Sequence, residues 1–300
     1  MPPSLRHAAS GGAAAHGWMP SGADIAPRVS PLTDEHREEV LTFLAERPLH
    51  TVVMAGFIRD NGVQSPLNRG AFHACRNTSG QLEGVALLGH ATLFEARTEA
   101  AMKVFAELAR RSQSAHVIMG EQDGVERFWG YYAEAGQTPR LLCRELLFEQ
   151  RWPVGIFEGV AGLRRARLDD LEHVMPVQAQ MAFEESGVNP LLLDAPGFRS
   201  RCARRIEQGR VWVWVERGRL LFKADVISDT PEANYIEGIY VHPAERGRGQ
   251  GLRCISQLGR TLLTRTRALC LLVNERNERA QVFYRRAGYK FRGYYDTIYL

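Results

Sequence analysis

The residues with the clearest capacity for chemistry lie in one stretch, from Tyr235 to Leu252. Its first part, residues 235–241, is rich in β-branched and aromatic side chains, which predicts a strand that ends before Pro243. A basic stretch with glycine at every second position, Arg246 to Gly251, follows and leads into an amphipathic segment. The order predicts a strand, a loop and the start of a helix.

A loop of this kind can bind an anion. Gly247, Gly249 and Gly251 place no Cβ atom between a ligand and the backbone N–H groups, which lie at the positive end of a helix dipole. Arg246 and Arg248 add donors that stay protonated, so a ligand with several negative charges, such as a pyrophosphate, is favoured. The plain alternative is a flexible surface turn, which a glycine-rich loop alone does not exclude.

Two familiar phosphate loops do not fit this stretch. A Walker loop needs a Gly-Lys-Ser/Thr ending, and the dinucleotide fingerprint needs Gly-x-Gly-x-x-Gly with an acidic residue about 20 positions later. What remains is Arg-x-x-Gly-x-Gly, formed by Arg246, Gly249 and Gly251 and preceded by Val241 and Pro243. This pattern resembles the acyl-CoA loop of the GNAT superfamily of N-acetyltransferases.

A second segment strengthens this resemblance. The order and spacing that GNAT enzymes show after their fifth strand are matched by Asn277, Ala280, Tyr284, Gly288 and Tyr289. Alone, this helix has an ordinary structural interpretation, because positions 280, 283, 284 and 287 form an apolar stripe typical of a core. Together with the glycine loop, it indicates a GNAT domain over residues 163–300.

The resemblance implies how acetyl-CoA would bind. The backbone of Ile239 and Val241 would pair with the pantetheine amides where two strands splay, the loop Arg246–Gly251 would hold the pyrophosphate, and Asn277 would contact the pantetheine arm. The expected coenzyme-binding residues are Ile239, Tyr240, Val241, Arg246, Gly247, Arg248, Gly249, Gln250, Gly251, Leu252, Asn277 and Ala280. The usual GNAT reaction transfers the acetyl group directly to a primary amine and releases coenzyme A, with no covalent enzyme intermediate and no metal.

Such a reaction needs a base and an acid. An alkylammonium has a pKa of about 10.4 and must lose a proton before it attacks, while the departing thiol has a pKa near 8.5 and benefits from a proton donor. Tyr284 matches the general acid of the family. Glu237 is the candidate base, on the same strand face as Ile239 and Val241 if the strand keeps a period of two.

Other interpretations of the charged residues stay open at this point. Glu237 is equally well explained as a strand-edge carboxylate paired with an arginine, and a water can serve as the base in this family. His242 is interpreted as a loop residue. Asp225, Glu184 and Glu185 are candidates for recognising a cationic acceptor, although a solvated helix end also explains the two glutamates.

Composition narrows the class of protein. The chain has 300 residues, of which 45% are hydrophobic and 24% charged, typical of a globular protein with about two domains. The net charge of +4 comes from scattered arginines, so nucleic-acid binding is not expected. No apolar run approaches the roughly 18 residues of a membrane span, and the segment 8–15 is too polar for a signal peptide. The five cysteines lack metal-site spacing and are interpreted as reduced thiols of a cytoplasmic protein.

The two halves of the chain show the same order of elements. Residues 128–136 align with 280–288, which pairs Tyr132 with Tyr284 and Gly136 with Gly288, and at the same offset two predicted strands coincide. The first half has no glycine loop between His90 and Lys103, so it should not hold a pyrophosphate. The predicted fold is mixed α/β, with two GNAT-like domains in tandem, each a mostly antiparallel sheet flanked by helices. The boundaries are a disordered tail over 1–29, a degenerate GNAT-like domain over 30–150, a linker over 151–162 and the GNAT domain over 163–300.

Hydrophobic periodicity and turn residues predict the individual elements. Residues 49–58 are apolar and fit either a strand or a buried helical turn. Strands are predicted at 71–76, 82–90, 116–119, 141–148, 211–215, 220–227, 235–241, 269–273 and 290–300. Helices are predicted from a cap at 33–35 to the residue before Pro48, and at 98–111, 125–135, 169–185, 196–208, 252–263 and 277–287.

The sequence thus predicts an N-acetyltransferase with an unidentified amine acceptor, as a monomer or a homodimer. The alternative is a non-catalytic acyl-CoA-binding sensor or scaffold, in which the loop is kept while the acid and base have drifted. An intact Tyr284 argues for the enzyme. A further alternative makes the first half a partner-binding domain.

Overall fold

The computed structural model describes residues 28–112, 115–156 and 158–300. Most of the predicted tail, 1–29, lies outside the described residues. Its last two positions, 28 and 29, belong to the first strand, Arg28–Pro31.

The described part of the first half contains six strands and four α-helices. The strands are β1 (Arg28–Pro31), β2 (Gly70–Arg76), β3 (Leu82–Gly89), β4 (Ala91–Ala96), β5 (Val117–Glu121) and β6 (Leu141–Gln150). The helices are α1 (Arg37–Ala45), α2 (Pro48–Asn61), α3 (Glu99–Arg110) and α4 (Gln122–Tyr132). The ambiguous segment 49–58 is helical, because Pro48 occupies the first turn of α2, where no backbone N–H is needed.

The second half also contains six strands and four helices. The strands are β7 (Leu163–Arg165), β8 (Val211–Glu216), β9 (Arg219–Asp229), β10 (Asn234–Val241), β11 (Leu269–Asn274) and β12 (Lys290–Tyr299). The helices are α5 (Leu171–Ser186), α6 (Pro190–Glu207), α7 (Gln250–Leu262) and α8 (Glu278–Arg286). The loop after β10 contains a 3₁₀ turn, Pro243–Glu245, which the sequence did not predict.

Three strands escaped prediction, and each has a physical reason. The sequence joined residues 82–90 in one strand and missed β4, because β3 and β4 are separated by a single residue, His90. Strands β1 and β7 have only 4 and 3 residues, too few for a period of two to stand out. Helix α6 begins six positions before the predicted start, with non-helical backbone at Asp194.

The twelve strands of the described residues form one mixed sheet in the order β1-β2-β3-β4-β5-β12-β6-β11-β10-β9-β8-β7. The mixed α/β fold is confirmed, and the two halves share a continuous sheet. Their last strands are exchanged: β12 of the second half pairs with β5, and β6 of the first half pairs with β11. The predicted linker at 151–162 therefore separates the two halves along the chain, but strands of both halves lie side by side in one sheet.

Helices cover both faces of the sheet. Apolar side chains of α2, α5 and α6 pack on one face, which we call the α5 face, through residues such as Val52, Val174 and Ile206. Helices α7 and α8 pack on the opposite face, the α8 face, where Leu258 and Tyr284 join a core with Phe148 of β6. Because α2 contacts Tyr235 and Tyr295 of the second half, the two halves also share a core.

Candidate functional site

Strands β10 and β11 run parallel and then separate. They pair only at Asn234 with Leu269 and at Tyr235 with Cys270, so the rest of β10 has no partner on that side. His242 donates its backbone N–H to Leu221 of β9. Since alternate residues of a strand turn their backbone groups to opposite sides, the amide of Val241 faces the opening. This geometry supports the predicted contacts of Ile239 and Val241 with an extended ligand.

The glycine loop presents a row of unpaired donors. Gly247 and Gly249 have positive φ angles of 77° and 81°, and α7 begins directly after Gly249. The backbone N–H groups from Gly247 to Leu252 find no acceptor in the described part of the chain, and the first helical bond runs from the N–H of Arg253 to the carbonyl of Gly249. Four consecutive peptide donors at a helix start would suffice for a phosphate, and this row is longer.

Close packing fixes the loop against β10. A Cβ atom at Gly251 would lie 2.7 Å from Cγ2 of Val241, so only glycine lets the first turn of α7 approach the end of the strand. Nε of Arg246 donates to the carbonyl of Val241 at 3.0 Å and braces the loop. Arg248 is exposed and only loosely paired with Glu245, at 3.6 Å, so its guanidinium is available to an anion.

A cavity of about 700 Å³ runs from this loop to α8 and α5, and we call it the β10 cavity. The predicted site residues on its wall are Ile239, Tyr240, Val241, Arg246, Gly247, Gly249, Gly251, Leu252, Asn277, Ala280 and Tyr284. Arg248, Gln250 and Glu237 do not line it. The sequence missed the cations Arg279 and Arg286 of α8 on the same wall. Arg279 and Arg286 are seven residues apart, which places them on the same face of a helix, and this spacing could have identified them from the sequence.

Tyr284 lies on α8 among aromatic rings. Its side chain is 9% exposed, with ring centroids 5.1 Å from Phe283, 5.8 Å from Tyr289 and 6.4 Å from Phe148. No hydrogen bond joins its hydroxyl to a described residue, and Tyr284 lines the β10 cavity, so the hydroxyl is free for a ligand there. Burial raises the pKa of Tyr284, so the phenol stays protonated at neutral pH.

One of the two polar side-chain atoms of Asn277 forms a hydrogen bond within the protein. Its Oδ1 accepts the N–H of Ala280 at 3.1 Å and caps α8. The amide Nδ2 has no partner among the described residues and remains for a ligand. His242 plays the loop role that the sequence indicated, because its Nδ1 accepts the N–H of Ala244.

A β-bulge in β10 places Glu237 differently from the prediction. Glu237 stands opposite Asp225, and Tyr240 stands opposite Lys223, so Gly238 and Ile239 together interrupt the register with β9. The irregularity reverses the alternation of side chains. Ile239 and Val241 pack on the α8 face, whereas Glu237 and Tyr240 lie on the α5 face. The expectation that Glu237 shares a face with Ile239 and Val241 is wrong.

Glu237 lies opposite Asp225 on the neighbouring strand, beside a buried network of charged residues. Lys223 is fully buried and contacts Asp225 at 2.9 Å, and Arg205 contacts the other oxygen of Asp225 at 3.0 Å. Lys223 also donates to Gln178 of α5 at 2.6 Å. Asp225 is 1% exposed and held by both cations, so its suggested contact with a cationic acceptor is wrong. Burial raises the pKa of Glu237, and the nearby Arg205 partly offsets this.

The parallel strands β4 and β5 of the first half correspond to β10 and β11, but the segment that follows β4 differs from the glycine loop that follows β10. Only Arg97 and Thr98 connect β4 to α3, and Thr98 uses its hydroxyl to accept the N–H of Ala101. Glu95 on β4 is 5% exposed and pairs with Arg47 at 3.1 Å. This region has a buried carboxylate where the second half has a row of free N–H groups.

Comparison with known proteins agrees with this geometry. Residues 207–291 match the family model of the acetyltransferase (GNAT) domain. The C-terminal part of the chain is a GNAT acetyltransferase domain. The resemblance found in the sequence is thereby confirmed, and its two motifs lie on the walls of one cavity in this domain.

Solved structures match almost the whole chain at low identity. A GNAT-family acetyltransferase from Colwellia psychrerythraea has 11% identity and a TM-score of 0.52, covering 91% of this chain and 98% of its own. A Drosophila protein has 13% identity and a TM-score of 0.66, with the same coverages of 91% and 98%. A tandem GNAT protein from the clavulanic acid biosynthesis pathway has 15% identity and a TM-score of 0.55, covering 90% of this chain and 98% of its own. The chain therefore has the tandem GNAT fold. No curated protein matches the sequence.

Two further observations concern the chain as a whole. All five cysteines are free, and four of them are buried. Among the described residues, no helix is long and apolar enough to cross a membrane.

Proposed function

We propose that the protein is an N-acetyltransferase that moves an acetyl group from acetyl-CoA to a primary amine. The observation that carries this proposal is the row of unpaired N–H groups from Gly247 to Leu252 beside the open edge of β10. A pyrophosphate complements these donors, and the amides of a pantetheine arm complement a strand edge. Tyr284 lies on the wall of the same cavity.

When bound, the coenzyme supplies a thioester whose carbonyl carbon gains a C–N bond to the acceptor as the C–S bond breaks. In our proposal Glu237 takes up the proton that the acceptor ammonium must lose, directly or through a water. Its raised pKa makes it a stronger base than an exposed glutamate. Tyr284 donates a hydrogen bond to the sulfur on which negative charge develops, and its protonated phenol is suited to that role.

Calorimetry with acetyl-CoA tests the coenzyme site. Gly249→Asp places a carboxylate among the N–H groups and should weaken acetyl-CoA binding by about a hundredfold, because charge repulsion replaces a charge-assisted contact. Gly136→Asp is the matched control, since both glycines have positive φ angles of 81° and 85°, with no atom within 4 Å of the position that a Cβ would take. Equal affinities for wild type, Gly249→Asp and Gly136→Asp would contradict the proposed site.

A thiol-release assay over a panel of primary amines tests the reaction. Release of coenzyme A that depends on the amine supports an acetyltransferase. Acetyl-CoA binding with no release for any amine identifies instead a non-catalytic acyl-CoA sensor, the alternative that the sequence left open.

A further inference from the structure

One wall of the β10 cavity is formed by α5, a helix that contributes none of the predicted coenzyme residues. Its lining residues are Val177, Gln180, Met181 and Glu184. They stand at i, i+3, i+4 and i+7, so they share one face of the helix. Tyr240 of β10 also lines the cavity, and its side chain packs, like that of Val177, against the core of the α5 face. We call these five side chains the Met181 wall.

Contacts between α5 and the sheet fix the position of this wall. Val174 is 2% exposed and anchors the helix in the core of the α5 face. Gln178 accepts a hydrogen bond of 2.6 Å from the buried Nζ of Lys223 on β9. One turn further along, Nε2 of Gln180 donates to Glu184 at 2.9 Å and orients its carboxylate. The wall is therefore in place before a ligand binds, which lowers the cost of binding.

Charge is distributed unequally within the β10 cavity. Of the described residues that line it, the three arginines, Arg246, Arg279 and Arg286, lie on the glycine loop and on α8. The Met181 wall has no cation and one carboxylate, that of Glu184. The phosphates of acetyl-CoA complement the arginines. An anion beside the Met181 wall would instead meet a negative charge and no basic side chain of that wall.

The rest of the Met181 wall is uncharged and mostly apolar. Val177 and Met181 are partly buried side chains, and Tyr240 adds an aromatic ring. A methionine thioether adapts its shape and packs favourably against aromatic rings, and aromatic rings pack against one another. The wall therefore matches an apolar group, and a ring in particular.

We propose that the Met181 wall binds the body of the acceptor, so that the acceptor is a primary amine with an apolar, ring-bearing substituent and no acidic group beside the amine. This inference rests on the proposed acetyltransferase function. Glu237, the proposed base, lies with Tyr240 on the α5 face of β10. An acceptor between α5 and β10 is thus on the same side of the sheet as Glu237. Glu184, which is exposed, attracts the protonated amine as it approaches.

This chemistry disfavours two other classes of amine. An α-amino acid carries a carboxylate on the carbon next to its amine, and the Met181 wall would leave that charge unpaired as it loses water. A short alkylamine such as ethylamine buries little apolar surface. A phenyl ring that leaves water on binding improves affinity by about tenfold or more.

The test uses four amines that differ by single groups. With saturating acetyl-CoA, thiol release is measured for 2-phenylethylamine, ethylamine, L-phenylalanine and L-phenylalaninamide, and each kcat/KM is corrected for the fraction of neutral amine. We expect kcat/KM for 2-phenylethylamine to exceed that for ethylamine by about tenfold or more, because only the ring differs. L-phenylalaninamide, with a neutral carboxamide in place of the carboxylate, should exceed L-phenylalanine by about tenfold or more.

Two pairs of variants connect these preferences to the Met181 wall. Met181→Asn should remove most of the preference for the ring, whereas Met175→Asn should keep it, because Met175 is partly buried on the same helix but does not line the cavity. Glu184→Lys should narrow the difference between the amide and the amino acid by about tenfold, since a cation can pair with the carboxylate. Glu172→Lys, exposed on the first turn of α5, is its control. Calorimetry with acetyl-CoA shows that each variant keeps its coenzyme site.

The outcomes separate this inference from the proposed function. Equal kcat/KM for ethylamine and 2-phenylethylamine, or for the amide and the amino acid, would overturn the inference and leave an acetyltransferase. Preferences that survive Met181→Asn and Glu184→Lys would do the same. If no amine releases thiol, the proposed reaction is wrong. Calorimetry with 2-phenylethylamine and enzyme saturated with coenzyme A then decides: binding that Met181→Asn weakens and Met175→Asn does not would support the Met181 wall, and no binding would overturn it too.

Discussion

The carbonyl of Gly238 accepts a hydrogen bond of 3.2 Å from Nζ of Lys223, so the bulge of β10 rests on a fully buried ammonium group. This contact holds the point at which the strand reverses its faces. On one side of it Glu237 lies on the α5 face, and on the other Ile239 packs on the α8 face. The bulge therefore turns the side chains before and after it toward opposite faces of the sheet.

Gly238→Ala should destabilise the protein and lower activity. A Cβ atom would lie 2.7 Å from Nζ of Lys223, which Gln178 and Asp225 hold in place, and the φ angle of 60° disfavours any other residue. We expect a loss of about 2–4 kcal/mol in the free energy of unfolding, measured by urea denaturation. Gly218→Ala is the control, since its φ is 72° but no atom lies within 4 Å, and it should cost only about 1 kcal/mol. Equal losses would show that the buried lysine does not constrain the bulge.

Tyr284→Phe should separate catalysis from binding. Removing the hydroxyl should lower kcat by about a hundredfold, the usual effect of one positioned donor, while the dissociation constant for acetyl-CoA changes little. Tyr289→Phe is a matched control, because this neighbouring phenol, 5.8 Å away between ring centroids, is buried with no hydrogen-bond partner among the described residues and should be dispensable. Thiol release and calorimetry measure the two quantities. A Tyr284→Phe enzyme with the kcat of wild type would show that the hydroxyl of Tyr284 takes no part in the reaction.

The parts of the site that the sequence predicted are local in the chain. The loop from Arg246 to Gly251 and the cap at Asn277 depend on neighbours within a few residues, so spacing alone indicates them. The mixed fold followed from the order of elements. These features need no knowledge of how the sheet is assembled.

The parts that the sequence missed depend on distant contacts. The bulge at Gly238 is set by Lys223 and Gln178, which lie 15 and 60 positions away in the chain. Glu145 contacts Thr297 of the second half only because β6 crosses to the other half of the sheet, and no pattern around Glu145 marks that exchange. A period of two also cannot show where a bulge reverses it.

Glu145→Gln should make stability less sensitive to pH. The pKa of Glu145 is about 7 in the folded protein, against 4.5 for an unperturbed glutamate, so between these values the folded state binds more protons than the unfolded state. The stabilisation from this proton is complete below pH 4.5 and is lost as the pH rises through 7. Glutamine keeps a neutral group at every pH. The variant should therefore gain about 2–3 kcal/mol on wild type between pH 5 and pH 8.

Urea denaturation of both proteins at pH 5, 6.5 and 8 measures this difference. Glu216→Gln, exposed on a turn, should follow wild type at each pH. A constant difference between Glu145→Gln and wild type would show that Glu145 titrates normally.

Expressing the two halves separately should show whether the second half needs β6 of the first half in order to fold. The fragment 163–300 lacks β6, which pairs with β11 from Leu269↔Gln150 to Asn274↔Glu145 and with β12 along its length. Both strands would then present unpaired edges, and Phe148 would leave the core around Tyr284. We expect 163–300 alone to be insoluble, and 1–150 coexpressed with 163–300 to purify as one complex with native circular dichroism.

A proline in β6 provides the control for that complex. Leu147 pairs with Leu272 on one side and Gly293 on the other, so Leu147→Pro removes a donor from a central strand and buries a misfit in the shared core. The coexpressed fragments carrying Leu147→Pro should no longer associate, whereas Leu142→Pro, near the exposed start of β6, should weaken the complex much less. A folded, monomeric 163–300 that binds acetyl-CoA as tightly as the full chain would contradict this account, because the second half would then complete its sheet without the strand that carries Glu145.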